Sequence, residues 1–235
     1  MKEALADVSV RAVLGEGHPI DVALFGRMVA DIPNLNVDAA VQVAHALSTH
    51  AVETEFDYYT AVDDENTADE TGAGMIGTLE FTSATLYRYA TVGLHQLVDN
   101  LGDSEAALQA LRNFLMAFTT SMPTGHQNSY AHRTIPNLVT IAVRTDQPVN
   151  LVSAFERPVR TTHDGLVDAS ITRLADELQA ATENWGLRPV RVLSTYRTSE
   201  QETAEKVVQS LGSSLPFDQV VAAVVDTARE QFSAR

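Results

Sequence analysis

The order of apolar patterns along this chain predicts an α+β fold. Three observations carry that reading: alternation of a strand kind from Leu79 to Tyr89, a capped amphipathic helix that begins at Asp103-Ser104, and an apolar strand from Leu138 to Arg144. Strand, helix and strand in this order make half of a ferredoxin-like sheet with helices on one face. From Asp168 onward helical spacing dominates, so the C-terminal part is expected to be mostly helical. The 235 residues can bury a sizeable core and are read as a single domain, 1–235.

Taken in order, Ile20 to Phe25 reads as a short apolar strand, followed by Gly26, where a residue without Cβ lets the backbone turn and leads into Arg27 and Met28. From Val37 to Val52 the pattern is ambiguous. Val37, Val41, Ala44 and Leu47 suit a helix, whereas Val41, Val43, Leu47 and Thr49 alternate as in a strand. Asp57 to Val62 and Met75 to Gly77 flank an acidic stretch, Asp63 to Gly74, whose composition cannot bury enough apolar surface to order itself. Two long strands bracketing such a loop make a protruding arm, residues 53–78. Leu79, Phe81, Ser83, Thr85, Tyr87 and Tyr89 then fall on one face of an extended segment rich in aromatic and β-branched residues.

Leu108, Leu111, Phe114, Leu115 and Phe118 form the apolar stripe of the next helix, which must end before Pro123. Ile171, Leu174, Leu178 and Ala181 give a helix from Asp168 to Trp185 that stops at Gly186. Val190 to Thr195 is a short strand, and helices over Ser199 to Leu211 and Pro216 to Phe232 close the chain.

Composition narrows the function. A hydrophobic fraction of 45% with 20% charged residues is ordinary for a globular protein. No apolar run is long enough to cross a bilayer, the first residues carry no secretory signal, and cysteine is absent, which excludes disulfides and thiolate metal sites. These features point to a cytoplasmic protein without a membrane partner. The net charge of −15 argues, by itself, against nucleic acid, because affinity for phosphates comes from Lys and Arg releasing counterions.

The seven histidines do not form a metal or catalytic pattern. His45 and His50 are five apart, which suits neither one helix face nor one strand face, and no His-Glu-x-x-His occurs. No nucleophile elbow, dinucleotide fingerprint or phosphate loop is present. No catalytic residue, metal ligand or cofactor is therefore assigned, and the chain is not expected to be an enzyme. A metal-dependent hydrolase would have to draw on the acidic run Asp63 to Glu70, a pattern better read as a solvated loop.

Several separate motifs carry a family resemblance. They are Asp21-Val-Ala-Leu-Phe-Gly-Arg-Met28, Ala44-His-Ala-Leu-Ser-Thr-His50, Asp57-Tyr-Tyr-Thr-Ala-Val-Asp-Asp64, Gly77-Thr-Leu-Glu-Phe-Thr-Ser-Ala-Thr-Leu-Tyr-Arg-Tyr89, Met122-Pro-Thr-Gly-His-Gln-Asn-Ser-Tyr-Ala131 and Ala154-Phe-Glu-Arg-Pro-Val159. In this order they resemble the CasC-type guide-RNA-binding backbone subunit of the type I-E CRISPR Cascade complex, over Pro19 to Val159. The resemblance implies an RRM-related palm, extended structure over Val37 to Val52, and use of the protruding β-hairpin as a thumb. It implies as partners a guide crRNA, other copies of the chain, other Cascade subunits, and target DNA through the guide. Family members begin with a long region holding the first sheet strand and a basic, Ser-rich segment that grips RNA. Residues 1 to 18 resemble only its end, so the palm is expected to lack its first strand and the chain to bind RNA weakly by itself. An interaction fragment that no longer holds RNA is the rival expectation.

The same resemblance nominates the site residues. Met28, with Arg27 beside it, matches the family's wedge against guide bases, an apolar insertion that unstacks a base step without reading sequence; the alternative is a methionine filling a core gap. Tyr59, Thr60, Val62 and Ile76 fall on the thumb, where stacking tolerates any base. Strand alternation allows only one of Tyr58 and Tyr59 to face RNA, and the other is expected to pack within the hairpin. His126 and Asn128 stand in the family's polar, often basic loop and can hydrogen-bond a phosphate or 2′-hydroxyl, with less attraction at neutral pH than a cation would supply. The bland alternative there is a turn that caps its own backbone.

Overall fold

A computed structural model describes Ser9 and residues 13–15, 17–61, 75–160 and 165–233. Among these, helices and small antiparallel ladders alternate as an α+β fold. The first element differs from the sequence expectation: Ile20–Phe25 is a helix, α1, and not a strand. Its ends explain why. Pro19 holds the extended N-cap and its carbonyl accepts from Ala23 N at 3.0 Å, Asp21 lies in the first turn, and Gly26 at φ 77 closes the helix with a 2.8 Å bond to the Val22 carbonyl. Ala23 and Leu24 are buried on its inner side.

Strands β1 (Val41–Val43) and β2 (Leu47–Ser48) follow, within the segment expected to be extended. Next come β3 (Glu55–Ala61) and β4 (Met75–Phe81), which pair in full from Glu55↔Phe81 to Ala61↔Met75. The strand expected to continue to Tyr89 breaks after Phe81 and resumes as β5 (Leu86–Tyr87) and β6 (Ala90–Val92). The break is a change of partner. Thr85 N–H donates to His50 Nε2 at 3.1 Å and its carbonyl accepts from Thr49 N at 2.9 Å, which moves the chain from the hairpin onto β2; β5 then pairs with β2 and β6 with β1.

Helices α2 (Leu94–Leu101) and α3 (Ser104–Thr120) are separated by Gly102, and Asp103 caps α3 by accepting from Ala106 N at 2.7 Å, as its sequence predicts. A single turn, α4 (Gln127–Tyr130), precedes β7 (Leu138–Val143). Helix α5 (Gly165–Trp185) stops at Gly186, φ 68. Strand β8 (Arg191–Tyr196) pairs antiparallel with β7, and α6 (Gln201–Leu211) and α7 (Phe217–Ser233) end the fold. Asp168, only 2% exposed, accepts from Ser199 N at 2.7 Å and fixes the turn into α6.

Among the described residues each sheet is a two-stranded ladder. Strand, helix and strand follow one another as β6, α2–α3 and β7, but β6 lies beyond the expected strand Leu79 to Tyr89, and β6 and β7 pair in separate ladders among the described residues. Three apolar clusters hold these pieces. One joins α1, β1, α2 and α3 through Ala23, Leu24, Val41, Leu97 and Phe114. A second joins α3, β7, β8 and α7 through Leu108, Leu111, Val143, Leu193, Val220 and Val224. The third gathers Leu151, Phe155 and Val159 onto α5 and α6.

Tyr87 ties the arm's root to this third cluster. Its ring lies 5.3 Å from that of Phe155, while its hydroxyl donates to Asn150 Oδ1 at 2.9 Å and accepts from Leu151 N at 3.2 Å. Burial pushes the phenol up to about 12, partly offset by the bond from Leu151. A neutral group whose folded pKa lies above its ordinary value near 10 contributes stability that is complete below that value and lost as pH rises towards 12. Tyr87→Phe is expected to leave the Leu151 amide unpaired and lower unfolding stability by about 1–3 kcal/mol at pH 7. It should also flatten the loss of stability above pH 10; urea titrations at pH 7 and across the alkaline range measure both.

Candidate nucleic-acid interface

The loop that carries Met28 is built on Gly26. A Cβ there would meet the Val37 carbonyl at 2.7 Å and Ala39 N at 3.0 Å, and the φ of +77 already favours glycine. This close approach lets Arg27 and Val37 exchange two backbone hydrogen bonds, each 2.9 Å. Met28 emerges beyond that bridge with 83% of its surface exposed, so it fills no core gap. Arg27 behaves differently. Its Nη2 donates to the carbonyls of Leu14 and Leu35, both at 2.8 Å, and its Nε is buried without a protein partner. The guanidinium is turned into the protein, away from a passing phosphate.

The β3–β4 hairpin is the protruding arm. All seven residues of β3 are exposed. Antiparallel register divides its side chains between two faces. Tyr59 pairs with Gly77, and its ring occupies the space that a Cβ on Gly77 would need; it keeps 43% exposure. Thr60 pairs with Ile76 on the opposite face, where Ile76 is 69%, Tyr58 74% and Phe56 65% exposed. The nominated thumb residues therefore do not share a surface: Tyr59 lies on one side, Thr60 and Ile76 on the other. Val62 and the acidic stretch Asp63 to Gly74 lie outside the described residues.

On the Tyr59 side the arm meets the segment around α4. An open groove of about 560 Å³ is lined by Tyr59, Thr78, Leu79, Glu80, His126 and Ser129. Phe81 packs 5.0 Å from the Tyr130 ring, and Tyr130 lies 5.8 Å from His126. Both ends of α4 are left-handed, His126 at φ 56 and Ala131 at φ 47, conformations that cost roughly 1–2 kcal/mol each for residues with a Cβ. The turn is braced by His132 Nε2 against the Pro123 carbonyl at 2.8 Å and by Arg133 donating to Gln127 Oε1 at 3.3 Å. Asn128 is exposed on this turn. Two motifs that lie 67 residues apart in sequence, Tyr59 and His126, thus face one groove.

Charged groups are few in the groove: Glu80 lines it, with neither Lys nor Arg among the lining residues. At the C-terminal end of α3 the Arg88 guanidinium covers the Phe118 ring at 4.4 Å. The groove offers a phenol, an imidazole and hydroxyls, a surface suited to stacking and hydrogen bonding more than to phosphate neutralisation. Among the described residues no group of three His, Asp or Glu side chains converges to hold a metal, and no helix is long and apolar enough to cross a membrane. Phe56 is not among the residues that the sequence nominates, and Tyr58 enters there only as the alternative to Tyr59; alternation along β3 puts both on one face, but their sharing it with Ile76 depends on the register across the arm.

Fold and groove together define an α+β protein with an exposed arm set over a polar turn. The chain matches the CT1975-like protein family over residues 1–223 and belongs to it. It is similar to a chain of a CRISPR RNA-guided surveillance complex, pre-nicking, with a TM-score of 0.80 and 35% identity over 90% of this chain. It spans 56% of the length of that chain. A chain of another CRISPR RNA-guided surveillance complex gives a TM-score of 0.77 and 37% identity, covering 93% of this chain and 81% of its own. No curated protein matches this chain.

Gly26→Ala tests the base of the Met28 loop. A methyl group at 2.7 Å from the Val37 carbonyl forces the Arg27–Val37 bridge apart. The variant is expected to lose roughly 1 kcal/mol or more in urea unfolding, with the amides of Arg27 and Val37 losing protection in hydrogen exchange.

Proposed function

We propose that this chain is a non-catalytic, cytoplasmic subunit of a type I-E Cascade surveillance complex that binds the backbone of the guide crRNA. In this reading the body is a ferredoxin-like, RRM-related palm and the β3–β4 hairpin is its thumb. Copies line up head to tail along one guide, a heterologous contact that propagates until other subunits stop it. Met28 and the arm hold guide bases out of register, so that short runs stay open to pair with target DNA. Base pairing supplies specificity, while the protein follows backbone shape.

The observation that carries this reading is the 37% identity, across 93% of the chain, to a component of an RNA-guided complex. Its physical support is the exposure of Met28 and Ile76, 83% and 69%, which leaves both side chains free to contact RNA. The groove between Tyr59 and His126 adds stacking and hydrogen-bonding groups of a sequence-tolerant kind.

A second reading is favoured by one fact. With a net charge of −15 and Arg27 committed to main-chain carbonyls, little cationic attraction is left at the nominated site. On that reading the chain is an interaction module that keeps arm and neighbour-facing surfaces without holding RNA. Sedimentation with and without a synthetic guide separates the two.

Binding by the isolated chain is expected to be weak and to fall steeply with salt; tight, salt-insensitive binding would overturn the proposal. Met28→Ala, Tyr59→Ala and Ile76→Ala are each expected to weaken assembly on guide RNA by roughly 1–3 kcal/mol while the melting temperature stays near that of the parent. Early melting with normal assembly of the folded fraction would make these residues packing groups, since burial losses run to about 2–5 kcal/mol.

A further inference from the structure

Met28 is exposed, yet the backbone on either side of it is fixed. Before it, Arg27 is locked by the paired 2.9 Å bonds to Val37 and by its guanidinium on the carbonyls of Leu14 and Leu35. After it, Val29 N–H donates to Asn36 Oδ1 at 2.7 Å, a side chain reaching across the loop from seven residues away. Asn36 is itself set by the turn at Pro33–Leu35, where its amide donates to the Pro33 carbonyl at 3.1 Å and Leu35 is buried. The peptide that follows Met28 is therefore held by one exposed carboxamide. The Met28 side chain beyond it, 83% exposed, meets solvent.

Such an arrangement makes sense if the direction of the side chain matters. Ordering a residue's backbone costs conformational entropy, and a group already ordered before its ligand arrives does not incur that cost on binding. We propose that Asn36 is a positioning residue for Met28: its side-chain oxygen aims the methionine at the nucleic acid without touching it. Arg27 has the companion role on the near side, so its contribution to RNA binding is made from inside the protein. The inference rests on the reading of Met28 as a base-contacting wedge.

The test is a double-mutant cycle on the full chain, assembled at low salt on a synthetic guide RNA and followed by sedimentation. Asn36→Ala is expected to weaken assembly about fivefold to tenfold, the loss of one hydrogen bond, and to have no further effect in a Met28→Ala background. Asn36→Asp keeps the acceptor but adds a negative charge beside the guide, so it is read at the Val29 amide and not in assembly. Hydrogen exchange at the Val29 amide should be fast in Asn36→Ala and slow again in Asn36→Asp. If Met28→Ala weakens assembly but Asn36→Ala is silent, or adds its effect independently, the positioning role is overturned while the wedge stands. If Met28→Ala has no effect, or the parent chain does not assemble on RNA, the wedge reading fails first and the positioning role fails with it.

Discussion

Helix α3 is buried along two stripes, and each stripe holds a different half of the molecule. Ala107, Ala110 and Phe114 face α1, β1 and α2, while Leu108 and Leu111 face β7, β8 and α7. Leu115 touches both clusters. No two-stranded ladder is independently stable in water, so the ladders on either side exist because this helix covers them. The demand on its sequence is severe. Two apolar stripes must lie side by side on one helix, and small alanines on one of them let α1 and α2 approach closely. Asp103 fixes where the helix starts, and hence which residues point each way.

From that shared helix the elements that carry the nominated groups receive their places. The α1 side carries the Met28 loop; the C-terminal end of α3 leads through Met122 into the α4 turn and its His126. Arg88 lies against Phe118 near the same end, and Tyr87 pins the arm's root to the cluster around Phe155. The nominated groups are thus borne by a loop, a hairpin and a single turn. Loops on a rigid scaffold are where proteins commonly place binding groups.

What could be read from the sequence follows from how local each determinant is. The cap at Asp103 and the stop at Gly186 are local, and both elements form where their residues predict. Ile20 to Phe25 is too short for its apolar run to show a period; Pro19 before it and Gly26 after it were the signal for a helix. The break after Phe81 could not be read, because it depends on His50 receiving the Thr85 amide from 35 residues away. At the site, Met28 and Ile76 are exposed, while the inward turn of Arg27 depends on the carbonyls of Leu14 and Leu35, which no pattern in its own segment announces.

A strand with one buried face keeps its alignment because a slip by one residue would turn every apolar side chain outward. β3 has no such protection, since all its positions are exposed. One pair in the arm is sensitive to alignment: the Tyr59 ring over the bare backbone of Gly77. Moved by a residue, the ring would confront Thr78 or Ile76, and the groove wall beside His126 would be lost. That single aromatic–glycine contact acts as an index mark on an otherwise slippery ribbon, and it ties the sidedness of the arm to one small residue.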